Sequence, residues 1–327
     1  MATQPFTYSN LSLSDARNDL TTVIEKFKKH KFVEFNNSNP TDEERFSLMF
    51  DIGLLLGWKL DYDEPGVPQF TYEETHKFSC GLAKQENRNN QNDVVVAWHL
   101  EHPHTRFPQV GALWHMEHKS CAKEAGSTGF IDANVLFNLL SPDDQEFLEH
   151  CQIVKTSFFS ITENNSIDLQ KSVQFDGEDQ FITVLGPDGK LVIPAYVKKP
   201  VVDHYLTGEK TLKISPKGQY TENEYVGHER LIWFDNRTPT KDEIRHYNRI
   251  AEFVYRNVSS NEEIKYFHYW DQGDAILVDV FSLIHCVRGG FNDGERLMKG
   301  IWAFPNTSHL SRDPSQQDAF KLFQVRI

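Results

Sequence analysis

One pentapeptide occurs twice, sixteen residues apart: Trp98-His99-Leu100-Glu101-His102 and Trp114-His115-Met116-Glu117-His118. In an extended strand, alternate side chains share a face, so each copy places an imidazole and a carboxylate side by side. Such a His-x-Glu pair, joined by a second His from elsewhere, makes a 2-His-1-carboxylate set, which keeps coordination positions open on a non-haem iron. Periodicity does not choose between the copies. The first ends a nearly continuous apolar run, Val94 to Trp98, which is expected to be buried on both faces, and it precedes a loop bracketed by Pro103 and Pro108. The second lies in an alternating strand, where Gly111, Leu113, His115 and Glu117 share one face.

The rest of the composition narrows the field. A chain of 327 residues can bury a sizeable core, and 24 Phe, 11 Tyr and 6 Trp suit a β-rich interior. A net charge of −13 argues against nucleic acid or an anionic membrane as partner. Cys80, Cys121, Cys151 and Cys286 have no metal-ligand spacing and read as reduced thiols. With neither a secretory leader nor an apolar run of membrane-spanning length, a cytoplasmic location is expected. Monomer and homo-oligomer both stay open.

Apolar spacing predicts a helix over Ala16–Lys29, a short strand at Phe32–Phe35, and a second helix over 42–57 opened by a Thr41/Glu44 capping box. Strands are expected at 93–100 and 110–117, a turn at 126–129, and a helix opened by Ser141-Pro142. Residues 152–225 look strand-rich, 239–257 helical, and 266–270, 275–280 and 297–303 form closing strands. Nothing reads as a linker, so one domain spanning 1–327 is expected. In it, residues 1–60 pack as helix–strand–helix on a β core of 93–303 that bears the site and carries insertions.

Two blocks carry a family resemblance. Trp98-His99-Leu100-Glu101 resembles the WH-x-D/E motif of the taurine dioxygenase-like (TauD/TfdA) Fe(II)/2-oxoglutarate oxygenases, with the Glu of clavaminate synthase-like members. The proline loop, strand and Gly126-Ser127-Thr128 turn then arrive where the family has them, whereas counting from His115 would leave a strand missing. Later, Trp270-Asp271-Gln272-Gly273-Asp274 through Asp279, then His285 and Arg296, resembles the family's W-x-x-GD-x-x-x-x-D turn, distal His and Arg eleven residues on. Pro200-Val201-Val202 with His204 and Thr207-Gly208 resembles a further segment, read as a structural or site-bordering loop.

The resemblance implies a mainly β fold with flanking α: a double-stranded β-helix (jelly-roll, cupin-like) core with outer helices. It implies that His99, Glu101 and His285 hold Fe(II), that Arg296 grips the distal carboxylate of the co-substrate 2-oxoglutarate, and that Thr128, with Ser127 as fallback, supports it. With O2, the implied chemistry is hydroxylation, or a related desaturation, of an unactivated C–H in a small polar molecule. HxE members suggest an amino acid or derivative. Glu101 fills the ligand position a halide would need, which disfavours halogenation. The chain departs from sulfonate-using members, which carry an Arg where Gly300 stands beside Lys299. Arg288 is a candidate substrate contact or a surface residue, and His268, His102 and His104 are rivals for the third ligand. The competing readings are a metal-dependent hydrolase or isomerase on a cupin-like barrel, and a non-catalytic metabolite-binding barrel.

Overall fold

The computed structural model describes residues 6–9, 12–59, 94–100, 109–156, 173–175, 182–186, 189–193, 195–221, 224–227, 229–292 and 295–305. Glu101, His102 and His104 lie outside them, as do residues 60–93 and 187–188. The contacts group the chain into two compact units, one from its two ends (to Asp132 and from Glu262) and one mainly from Ala133–Asn261.

The first unit opens with β1 (Phe6–Ser9), α1 (Leu13–Arg17), α2 (Leu20–His30), β2 (Phe32–Asn36), α3 (Asp42–Leu56) and β3 (Trp58–Lys59). One helix was expected over 16–29, but Asp19 interrupts it: its carboxylate accepts from the Thr22 amide at 3.3 Å and starts α2 afresh. The Thr41/Glu44 capping box forms at the start of α3, and Gly57 ends it in the left-handed region at φ 70°. Next come β4 (Val94–His99), β5 (Gly111–Lys119) and β6 (Thr128–Asp132). After the second unit the chain returns with β17 (Tyr266–His268), β18 (Ala275–Val278), β19 (Leu283–Arg288) and β20 (Arg296–Pro305).

These strands make two sheets, in the orders β1-β2-β18-β5-β20-β3 and β17-β6-β19-β4. Only the β1–β2 pair is parallel. From β4 to β20 the strands of this unit alternate between the sheets, β6 and β17 excepted. Phe32, Ala112, Trp114, Ile276 and Met298 of the first sheet share one buried cluster with Phe130 and Leu283 of the second. Phe32 meets Phe130 edge-on, with centroids 4.8 Å apart. Each such aromatic removes roughly 150–250 Å² from water, about 4–6 kcal/mol gross. The first sheet's other face carries Val33, Phe35, Leu113, Leu277 and Ile301, all buried, and α2 and α3 pack on this sheet with Val23, Phe27, Leu48, Met49 and Ile52 buried.

β4 corrects one expectation. Its apolar run is not buried on both faces: the strand is the edge of its sheet, Ala97 is exposed, and Val94, Val96, Trp98 and His99 are half-buried. A continuous Val run suits an edge as well as a centre when one ladder is absent, and hydropathy cannot tell the two apart.

The second unit centres on β7 (Cys151–Thr156), flanked antiparallel by β11 (Ala195–Lys198) and β16 (Glu229–Phe234). Its longest helix, α6 (Lys241–Ser260), starts at a Thr240/Glu243 capping box and buries Tyr247, Ile250, Ala251, Val254 and Val258 along one stripe. His204 is buried here. Its Nδ1 accepts from the amides of Leu206 and Thr207, which makes it the cap of a Thr207-Gly208 turn.

Candidate active site

Directly opposed residues of an antiparallel pair point to the same side of the sheet. Across the second sheet, one row reads Tyr266, Phe130, His285, His99, and the next reads His268, Thr128, Val287. His99 and His285 are therefore cross-strand partners, with ring centroids 4.2 Å apart. His285 is buried, and Trp114 of the first sheet lies 5.2 Å from its ring, so the pair faces the space between the sheets. Register shifts on either side of Val287, where β19 meets β4, locally re-aim this edge.

The two rings have their nitrogens sorted. His99 Nδ1 lies 2.7 Å from the Ala97 carbonyl and His285 Nδ1 3.3 Å from that of Leu283. A carbonyl only accepts, so Nδ1 carries the proton; in the neutral ring Nε2 then keeps the lone pair, the tautomer of a metal-binding imidazole with a backbone partner behind it. Among the described residues no three His, Cys, Asp or Glu side chains converge, and Glu101 lies beyond them.

Arg296 begins β20 with the inward parity of Met298 and is 4% exposed. Its Nε donates to the Gly126 carbonyl at 3.1 Å. Gly126, at φ +66°, has no room for a side chain, since a Cβ would sit 2.6 Å from Arg296 Cδ. Two residues on, Thr128 is buried, and its hydroxyl accepts from the indole N–H of Trp270 at 2.9 Å. Ser127 has the opposite parity from Thr128, and its carbonyl takes the Arg288 amide.

The Trp270–Asp279 block proves to be scaffold for this arrangement. Gly273 turns at φ +91°, and the Asp274 carboxylate accepts the amides of Asn37 and Asp271 at 2.9 and 2.7 Å. Burial pushes that carboxyl above the usual range in spite of both amides. Asp279 closes a second turn, accepting from the amides of Phe281 and Ser282 and the Ser282 hydroxyl, and so sets the entry of β19, which carries His285.

The second pentapeptide has a different setting. His115 pairs with Ala275 and Lys299 on the first sheet's outer face, opposite in parity to Trp114. Burial, then the charges of Arg45 and Lys299, lower the His115 pKa to about 4. Glu117 takes a salt bridge from Lys299 at 2.6 Å, and Lys299 also reaches Asp42 of α3. Arg288 stacks over Phe267, 3.4 Å from its centroid, on the face away from His285. His268 pairs with Glu34 at 2.9 Å, in the row beyond His285. Gly300 lies against Trp114 and Trp302, where a Cβ would meet the Trp302 ring at 2.8 Å. The strand at 283–288, the Trp114 wall and the Gly126 cradle were not anticipated; Leu283, His285 and Val287 at period two were the available signal for the strand.

The described core is mainly antiparallel β, with helices on one sheet and a pair of histidines between the sheets. The model of the "Taurine catabolism dioxygenase TauD, TfdA family" matches residues 2–302, and the chain belongs to that family. Membership makes it a 2-oxoglutarate-dependent dioxygenase that works with Fe(II), 2-oxoglutarate and O2. Among solved structures, a taurine dioxygenase from Burkholderia xenovorans is 13% identical with a TM-score of 0.56, covering 92% of this chain and 88% of that one. AAD-2 in complex with Mn(II) and N-oxalylglycine is 15% identical with a TM-score of 0.55, covering 93% and 95%. At such identities the likeness speaks for the fold alone. No curated protein matches in sequence. Among the described residues no helix is long and apolar enough to cross a membrane.

Proposed function

We propose that this chain hydroxylates an unactivated C–H bond of a small polar molecule, an amino acid or a derivative of one, on a double-stranded β-helix. The observation that carries the reading is the His99–His285 pair, cross-strand partners with rings 4.2 Å apart in the space between the sheets. In this reading His99, Glu101 and His285 hold the iron, and Arg296 and Thr128 hold the far carboxylate of 2-oxoglutarate. Residues 1–327 act as one oxygenase domain, with 133–261 as an insertion. The strand order, with successive core strands alternating between two sheets, supports the β-helix.

The residues suit the group. Two imidazoles present Nε2 lone pairs with their Nδ1 protons occupied behind, and a buried guanidinium is seated on Gly126. When bound, ferrous iron with the keto-acid and O2 supplies the oxidising power. The protein's part is positional: Arg296 offers a planar fork that matches a carboxylate, and the Trp114 and Phe130 rings beside His285 keep that side of the site dry. The Mn(II) and N-oxalylglycine of the AAD-2 complex support the same pairing of metal and keto-acid analogue. A Cβ at Gly300 would meet the Trp302 ring at 2.8 Å, which counts against a sulfonate-binding Arg at this position. A screen of amino acids and their derivatives for substrate-dependent succinate release, under Fe(II), ascorbate and O2, tests it. Equal, substrate-independent succinate across the library, with no hydroxylated product by mass spectrometry, would reject the substrate class.

A further inference from the structure

Within the scaffold block, the buried Trp270 has a particular contact: its indole donates a hydrogen bond to the Thr128 hydroxyl. An indole N–H only donates, whereas a threonine hydroxyl has one proton and two acceptor lone pairs. With one lone pair taken by Trp270, the hydroxyl rotor is restricted, and its own proton must point away from the indole. Thr128 sits two residues from Gly126, whose carbonyl holds Arg296 Nε, so hydroxyl and guanidinium are anchored on the same short segment. The indole is itself braced. His268 packs edge-on against it, with centroids 4.4 Å apart at 89°, and the His268 Nδ1 is fixed at 2.9 Å by Glu34, which also accepts from Tyr266 at 2.6 Å. Glu34, His268, Trp270 and Thr128 are all buried, at 5% exposure or less.

We infer that Trp270 is a positioning residue for the keto-acid: backed by His268 and Glu34, it turns the Thr128 hydroxyl into a fixed donor that works beside Arg296 on the distal carboxylate. The inference rests on the 2-oxoglutarate reading and extends it to a residue that touches neither metal nor keto-acid. A fixed donor adds to binding because no rotor has to be ordered when the carboxylate arrives.

The test is Trp270→Phe in the full chain, loaded with Mn(II) and titrated calorimetrically with N-oxalylglycine. Expected is a dissociation constant about five- to tenfold weaker, part of what a hydrogen bond to a charged group contributes, with Mn(II) affinity unchanged. In turnover the KM for 2-oxoglutarate rises by a similar factor while kcat holds. Thr128→Val loses at least as much, Thr128→Ser restores binding, and adding Trp270→Phe to Thr128→Val costs little more. Wild-type affinity in Trp270→Phe, or losses that multiply in the double variant, would overturn the role. Should Trp270→Phe not fold, the wild-type protein decides with 15N-labelled indoles. The resonance perturbed by Thr128→Val must shift when N-oxalylglycine binds, and a signal that stays put refutes the inference. A wild-type protein unable to bind N-oxalylglycine would defeat both readings together; normal wild-type binding with an unaffected variant defeats this one alone.

Discussion

Two stretches spelled almost identically, 98–102 and 114–118, show how little a short motif says without its sheet. His99 sits on an edge strand and faces inward, where β19 brings His285 against it. His115 sits on a central strand but faces outward, under α3, among Arg45, Lys299 and Asp42. The difference is one of parity and layer. In the second copy it is Trp114, not His115, that reaches the interior and packs beside His285. One copy presents an imidazole to the space between the sheets, whereas the other stores a neutral imidazole in a polar seam with cations around it.

The sharpest way to break this contrast is to remove each imidazole in turn. His99→Ala and His285→Ala are expected to abolish Fe(II) or Mn(II) binding and succinate release, beyond the roughly 10–100-fold that outer partners of a metal site cost. His115→Ala should keep both within about threefold, a small loss of the order that outlying changes produce. Metal titration of the three variants checks it, and equal losses from His99→Ala and His115→Ala would erase the distinction.

A second effect belongs to His115 alone. Its folded pKa, about 4, lies below the ordinary value of 6.5, so between these values the unfolded chain binds more protons than the folded one. Stability contributed by the neutral imidazole is then whole above pH 6.5 and falls as pH drops towards 4, by about 2 kcal/mol after allowance for relaxation. Urea midpoints of wild type and His115→Gln, compared at pH 7 and pH 4.5, should show a shallower loss in the variant. Parallel curves would mean that this ring titrates normally in the fold.

The smallest effect is expected at Glu117. Its ion pair with Lys299 is partly exposed, and such pairs contribute less than about 1 kcal/mol. Glu117→Gln should leave metal binding, keto-acid binding and the midpoint nearly unchanged. A marked loss of metal from Glu117→Gln would give the second copy a role denied to it here.

Much of this was legible in the chain. The capping box at Thr41 was, because a box is a local exchange of hydrogen bonds between residues three apart. The His285 to Arg296 spacing came from the family resemblance, and in the structure a strand, a turn and the start of the next strand span it. The strand bearing His285 was harder to see, since its apolar alternation is short and follows the Asp279 turn directly. The burial of β4 was misjudged because hydropathy records how apolar a strand is, not how many neighbours its ladder has.

Sequence by itself determined the family, a pool of candidate ligating side chains and the starts of the helices at 42 and 142, all of which depend on residue identity and near-neighbour spacing. The tertiary structure decided which of the two repeated histidines looks inward, that Gly126 must yield to the stem of Arg296, and that Trp270 donates to Thr128 across 142 positions of sequence. Those outcomes depend on strand register and on which sheet a strand joins. A one-residue slip inverts every side chain of a strand while leaving its sequence untouched.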